Sequence, residues 1–154
     1  MSWRGLFPFE PYPQQIEFMN DAEEALKNWD TLVTEACNGF GKTVCSLSVA
    51  LSLDRKIIYA TRTHEQARQV LQEVARINKH AKRGFSAVIL AGREHLCLNK
   101  KCLNLKPAEA SETCKILRVR GKCSYTADVE PLMDDIPNIL SASMLIKFGH
   151  KEKC

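Results

Sequence analysis

The stretch Ala36-Cys37-Asn38-Gly39-Phe40-Gly41-Lys42-Thr43 constrains this 154-residue chain more than any other feature. It has the spacing of a Walker A loop, with Ala in place of the usual opening Gly, and it follows the run Thr31-Leu32-Val33-Thr34-Glu35-Ala36, which reads as a strand. The apolar, helix-forming run Val44 to Leu51 comes directly after it. Strand, loop and helix in that order are the setting such a loop requires. Gly39 and Gly41 let the backbone curl so that successive N–H groups face phosphate oxygens, and the positive end of the following helix adds to the same cavity. Lys42 then reaches the β- and γ-phosphates of a nucleoside triphosphate such as ATP, and the Thr43 hydroxyl ligates Mg2+. The plainer alternative is a Gly-rich turn that only caps a helix, and the flanking strand and helix weigh against it.

Around the loop the pattern is α/β. Pro8, Pro11 and Pro13 keep the opening segment extended, and Gln14 to Trp29 reads as an amphipathic helix with Ile16, Met19, Ala22, Ala25, Leu26 and Trp29 on its apolar face. A helix from Lys42 to about Leu53 follows the loop, then a second strand, Lys56 to Thr61. A second amphipathic helix, His64 to Asn78, buries Ala67, Val70, Leu71, Val74 and Ile77 and leads to a third strand, Phe85 to Gly92. Alternating strands and helices imply right-handed crossovers and a parallel, doubly wound sheet, with ligands at the carboxyl ends of the strands, where Ala36 and Thr61 lie.

From Arg93 onward the character changes. Long apolar runs stop while Cys97, Cys102, Cys114 and Cys123 are interleaved with Lys and Arg, and Leu105, Ala108, Ala110, Ile116 and Leu117 give a scant apolar complement. So few large side chains make a weak core, which small domains remedy with a metal or cluster. A helix from about Pro137, carrying Ile139, Leu140, Met144, Leu145 and Phe148, is expected near the end. No apolar run of about eighteen residues and no signal-peptide core occur, so an intracellular, reducing setting is expected. There, seven cysteines suit metal ligation better than disulfides.

Charge divides the same way. Residues 1–54 carry three Lys/Arg against eight Asp/Glu, and residues 55–154 carry nineteen against ten. A basic portion joined to a nucleotide-binding portion suits a nucleic-acid-dependent motor, because cations that neutralise phosphates release counterions. A merely solvated basic surface is the plainer reading of the same charge.

Three stretches together resemble the XPD/FANCJ family of iron-sulfur DNA helicases. They are the loop from Glu35 to Thr43, the strand end Ala60-Thr61-Arg62-Thr63-His64-Glu65-Gln66, and Gly92-Arg93-Glu94-His95-Leu96-Cys97 with the spaced cysteines after it. The resemblance covers essentially the whole chain. It implies a RecA-like P-loop domain over residues 1–92, interrupted by a small, mostly helical 4Fe-4S domain over residues 93–154. It further implies that Phe7-Pro8 and Tyr12-Pro13-Gln14-Gln15 read adenine, with Gln15 as the base contact. Thr61, Arg62 and Thr63 touch the backbone of bound DNA by the same comparison, a role suited to two hydroxyls and a guanidinium at a strand end.

The family's ligand pattern fits Cys97, Cys114, Cys123 and Cys154, with Cys102 as an alternative to Cys114. No CxxC pair is present, which counts against an ordinary zinc ribbon, although zinc with His95 or His150 as a substitute ligand stays open. The family's Asp-Glu-Ala-His box, its second motor domain and its arginine finger are absent from these residues, so the chain reads as the truncated N-terminal piece of a longer helicase. Such a piece is expected to bind ATP through Lys42 and Thr43 but to turn it over poorly. By resemblance the whole protein unwinds DNA with 5′ to 3′ polarity in repair, in the cytoplasm or, in a eukaryote, the nucleus. Two readings from other classes compete: a non-motor DNA-binding module that only senses nucleotide, and an unrelated P-loop NTPase with a structural zinc.

Overall fold

The computed structural model describes residues 2–29, 31–103, 105–125 and 137–152. The chain divides into two compact units, Met1–Ala87 and Val88–Cys154.

In the first unit a 3-10 turn, Trp3–Gly5, precedes helices α1 (Pro13–Lys27), α2 (Lys42–Ser52) and α3 (His64–Ala81). Pro13 sits in the first turn of α1, where its missing N–H has no helical partner to lose. Helix α2 is the centre of the unit, packing against α1, α3 and the 3-10 turn. Val44, Cys45, Leu47 and Val49 are buried there with Trp3, Leu6, Phe7 and Met19, and with Leu71, Val74 and Ile77 of α3. Helix α3 opens on a capping box: the Thr63 hydroxyl accepts from the Gln66 N–H at 3.2 Å, and Gln66 Oε1 accepts from the Thr63 N–H at 3.3 Å.

The predicted periodicities locate these helices, with one correction. Trp29 is not on the buried face of α1: the helix ends at Lys27, and Trp29, at φ 61°, is 80% exposed. Its ring lies under the Arg55 guanidinium at 3.7 Å instead, a cation–π contact.

The sheet is the larger departure. Residues 31–36 and 56–61 form no strand among the described residues, and only Ala87–Val88, within the predicted third strand, becomes one (β1). A strand exists only through a neighbour that accepts and donates along its ladder, and these two segments have none among the described residues. Their apolar side chains stand in solvent, Val33 at 89% and Ile58 at 98% exposure.

In the second unit β1 pairs with β2 (Ile139–Leu140), where the Ile89 N–H donates to the Leu140 carbonyl at 3.1 Å. Helices α4 (Arg93–Leu96), α5 (Pro107–Val119) and α6 (Ala142–Glu152) complete it, α4 packing against both others. Helix α5 was not among the expected elements; it starts with Pro107 at its first position. Helix α6 starts later than Pro137, so Ile139 and Leu140 are in a strand rather than a helix. Ser141 explains the start, its Oγ accepting from the Met144 N–H at 3.3 Å in the manner of an N-cap. No helix among the described residues is long and apolar enough to cross a membrane.

Candidate functional site

The phosphate loop is built where the sequence places it, at the N terminus of α2. Gly39 and Gly41 both take left-handed backbone, at φ 81° and 86°, and Gly41 is the N-cap of the helix. Open space surrounds the Cβ position of Gly39, so only its φ calls for glycine there. A Cβ on Gly41 would stand 3.1 Å from Gln15 Nε2 and 3.5 Å from Val44 Cγ1, so both its φ and its surroundings do.

Lys42 folds back across the loop that carries it. Its Nζ donates to the Ala36 carbonyl at 2.9 Å and to the Cys37 carbonyl at 2.7 Å. An ammonium has three protons, so two anchor it at the mouth of the loop and one remains for an incoming oxyanion. The side chain is exposed, as a group meeting a ligand from solution must be. Thr43 is half-buried one residue into the helix, and Cys37, Asn38 and Gly39 are exposed.

Gln15 is 6% exposed and bonded to the loop itself. Its Nε2 donates to the Phe40 carbonyl at 2.6 Å, and its Oε1 accepts from the Tyr12 N–H at 3.0 Å. Phe18, one helical turn along α1, meets the Phe40 ring edge-on at 5.8 Å. Sequence reading passed over Phe18 and Phe40 as a pair. The available signal was the i, i+3 spacing of Gln15 and Phe18, which puts both on one face of α1.

Of Thr61, Arg62 and Thr63, two have local tasks. The Thr61 hydroxyl donates to the Thr63 carbonyl at 3.2 Å, and the Thr63 hydroxyl caps α3. Arg62 is exposed, and its guanidinium makes no hydrogen bond or ion pair among the described residues. Its backbone N–H is held by Gln66 Oε1 at 3.1 Å, so the segment is fixed while the side chain is open to an anion.

In the second unit Cys102 and Cys114 are buried with Leu117, and Cys97 and Cys123 pack against them. Cys102, the alternative to Cys114 as a ligand, is thus buried in the same cluster as Cys114, and Cys154 lies outside the described residues. Asn99 Nδ2 approaches Cys123 Sγ at 3.7 Å. Burial first, then the neighbouring Cys97, Cys114 and Cys123, push the Cys102 thiol up from its ordinary value. Cysteine sulfurs are the ligands that zinc and iron-sulfur centres use, and these four lie in one packing cluster. They fit such a group in kind. As placed, no three His, Cys, Asp or Glu side chains among the described residues converge to hold a single ion, and His95 and His150 supply no such site. Cys45, in the core of the first unit, is a different case: burial pushes its thiol up to about 11, which makes it an inert packing group.

A glycine turn in left-handed backbone, closing on a lysine at the start of a buried helix, is the loop-to-helix half of a P-loop; the strand that precedes such a loop is not formed among the described residues. Residues 59–154 match the model of the DEAD_2 family, and the chain belongs to that family. It is similar to proteins named regulator of telomere elongation helicase 1 homolog. The relative from Arabidopsis thaliana is 31% identical over 90% of this chain and 17% of its own length. Those from Drosophila sechellia and Caenorhabditis briggsae are 28% and 27% identical, over 96% and 86% of this chain and 20% and 16% of their own lengths. The chain thus spans no more than about a fifth of the curated relatives it matches. No solved structure matches it.

Proposed function

We propose that these residues are the N-terminal part of the first motor domain of an ATP-dependent DNA helicase of the XPD/FANCJ type. The observation that carries this reading is the Lys42 ammonium, anchored by the Ala36 and Cys37 carbonyls at the mouth of a P-loop, in a chain of the DEAD_2 family. Lys42 meets the β- and γ-phosphates, Thr43 ligates Mg2+, and residues 36–41 supply backbone N–H groups to phosphate oxygens. Thr61, Arg62 and Thr63 grip the DNA backbone, Arg62 foremost because its guanidinium alone is uncommitted.

Residues 1–92 are the motor portion and residues 93–154 the Fe-S portion of this reading. Cys97, Cys114, Cys123 and Cys154 hold a 4Fe-4S cluster, whose ligation supplies folding free energy to a unit short of apolar bulk. The basic side chains around it, among them Lys115, Arg118, Arg120 and Lys122, favour a nucleic-acid strand. In the whole protein, ATP turnover drives 5′ to 3′ unwinding in DNA repair, whereas the residues present here bind ATP without efficient hydrolysis.

Two measurements test the reading. Mg-ATP titration of the wild-type chain and of Lys42→Ala should show binding that the substitution abolishes; equal affinity in both would overturn the nucleotide site. Protein purified without oxygen should be brown, with iron and labile sulfide in equal amounts, and colourless protein with one zinc per chain would replace the cluster by zinc.

A further inference from the structure

The contact between Gln15 and the loop gives this residue work that does not depend on a nucleobase. Phe40 and Gly41 share a planar trans peptide, in which the carbonyl of one residue and the N–H of the next point in opposite directions. Gln15 Nε2 holds the Phe40 carbonyl at 2.6 Å, toward α1. The Gly41 N–H is thereby aimed away from α1, and it donates no hydrogen bond among the described residues. The same helix holds the Phe40 ring through Phe18, and the close fit of Gly41 against Gln15 leaves that peptide little room to turn over.

We propose that Gln15 is a positioning residue for the phosphate loop: it orients the Phe40–Gly41 peptide so that the Gly41 N–H is presented to a polyphosphate, whatever base the ligand carries. The proposal rests on the reading of residues 36–43 as a triphosphate site. Tyr12 completes the device, since its N–H fixes Gln15 Oε1 at 3.0 Å and so decides which end of the amide faces the loop. A glutamine that only reads adenine would matter for ATP and be silent toward a ligand with no base. A glutamine that sets the loop weakens both ligands alike.

The test uses the full chain and two probes, Mg-ATP and Mg-tripolyphosphate, followed by calorimetry. Gln15→Ala should weaken both by the same factor, about five- to tenfold, the scale of one lost hydrogen bond. Phe18→Ala, which touches no polar group, should again lower both together. Gln15→Glu keeps the acceptor for the Tyr12 N–H and, while ionised, lacks the donor for Phe40. It should bind both probes weakly while the carboxyl is ionised and approach wild-type affinity at the same pH once the carboxyl is protonated, its titration followed by carbon-13 NMR, because a protonated carboxyl can donate as the amide does. Gln15→Ala should show no such recovery, and this difference separates positioning from a general loss of structure. The proposal is overturned if Gln15→Ala weakens Mg-ATP while tripolyphosphate binding is unchanged, or if Gln15→Glu, with its carboxyl shown to be protonated, stays as weak as Gln15→Ala at the same pH. A wild-type chain that binds neither probe refutes the triphosphate site itself and this proposal with it.

Discussion

Replacing Gly41 by alanine probes the loop at its most constrained point. Two costs add. Backbone at φ 86° is left-handed, which an L residue occupies at about 1–2 kcal/mol. The new methyl would also stand 3.1 Å from Gln15 Nε2, closer than an unstrained contact, so the amide must withdraw and its 2.6 Å bond to Phe40 lengthens or breaks. A lost net hydrogen bond of this kind costs about 1 kcal/mol. The sum is about 2–3 kcal/mol, which appears as a shifted loop and lowers Mg-ATP affinity by about 30- to 150-fold. Gly39→Ala is the internal control: φ is 81° but nothing lies within 4 Å of its Cβ position, so only the backbone cost applies. Titrating both variants with Mg-ATP, alongside thermal unfolding, isolates the Gln15 contact as a further loss of about fivefold in Gly41→Ala. Equal losses in the two variants, or wild-type affinity in Gly41→Ala, would refute the account of how this loop is held.

Other consequences can be checked separately. Ser48 Oγ is buried in α2 without a hydrogen-bond partner among the described residues, so Ser48→Ala should stabilise the first unit by about 1 kcal/mol in denaturant titration; a loss of that size instead would mean that the hydroxyl has a partner. Cys37 is exposed in the loop and Cys45 is buried, so iodoacetamide should label Cys37 first and Mg-ATP should slow it, whereas labelling of Cys45 at the same rate would contradict the burial. The folded Cys45 thiol titrates at about 11 against an ordinary 9.0, so the fold favours its protonated form. Its contribution is fully present below pH 9 and is lost as pH rises toward 11, about 2–3 kcal/mol, and the corresponding slope of unfolding free energy should vanish in Cys45→Ala. With Cys97, Cys114, Cys123 and Cys154 as ligands, Cys114→Ser should bleach the chromophore while Cys102→Ala keeps most of its iron; a colourless Cys102→Ala would put Cys102 in the ligand set.

Local chemistry made much of this chain legible before any coordinates. The phosphate loop could be read because its requirements are those of single residues at fixed spacing: glycine where φ is positive, lysine and threonine at the helix start. Helices α1, α2 and α3 could be read because a 3.6-residue period records which face is apolar, and α2 begins at Lys42 as expected. Where periodicity ran past a helix end it misled, as at Trp29. At Ile139 and Leu140 the same apolar pair served a strand, since Ser141 caps the helix only afterwards.

What the residues could not disclose by themselves were relations between distant parts of the chain. Whether residues 31–36 and 56–61 become strands depends on a hydrogen-bonding neighbour, and no property of either segment supplies one. The bond from Gln15 to Phe40 spans 25 positions, and the gathering of Cys102 with Cys97, Cys114 and Cys123 depends on how α5 packs. Side-chain type, spacing and period are written into a sequence one residue at a time. Pairing, the aim of a peptide group and the company a thiol keeps arise only when the chain folds back on itself, because only then do separated groups come within hydrogen-bonding or packing distance.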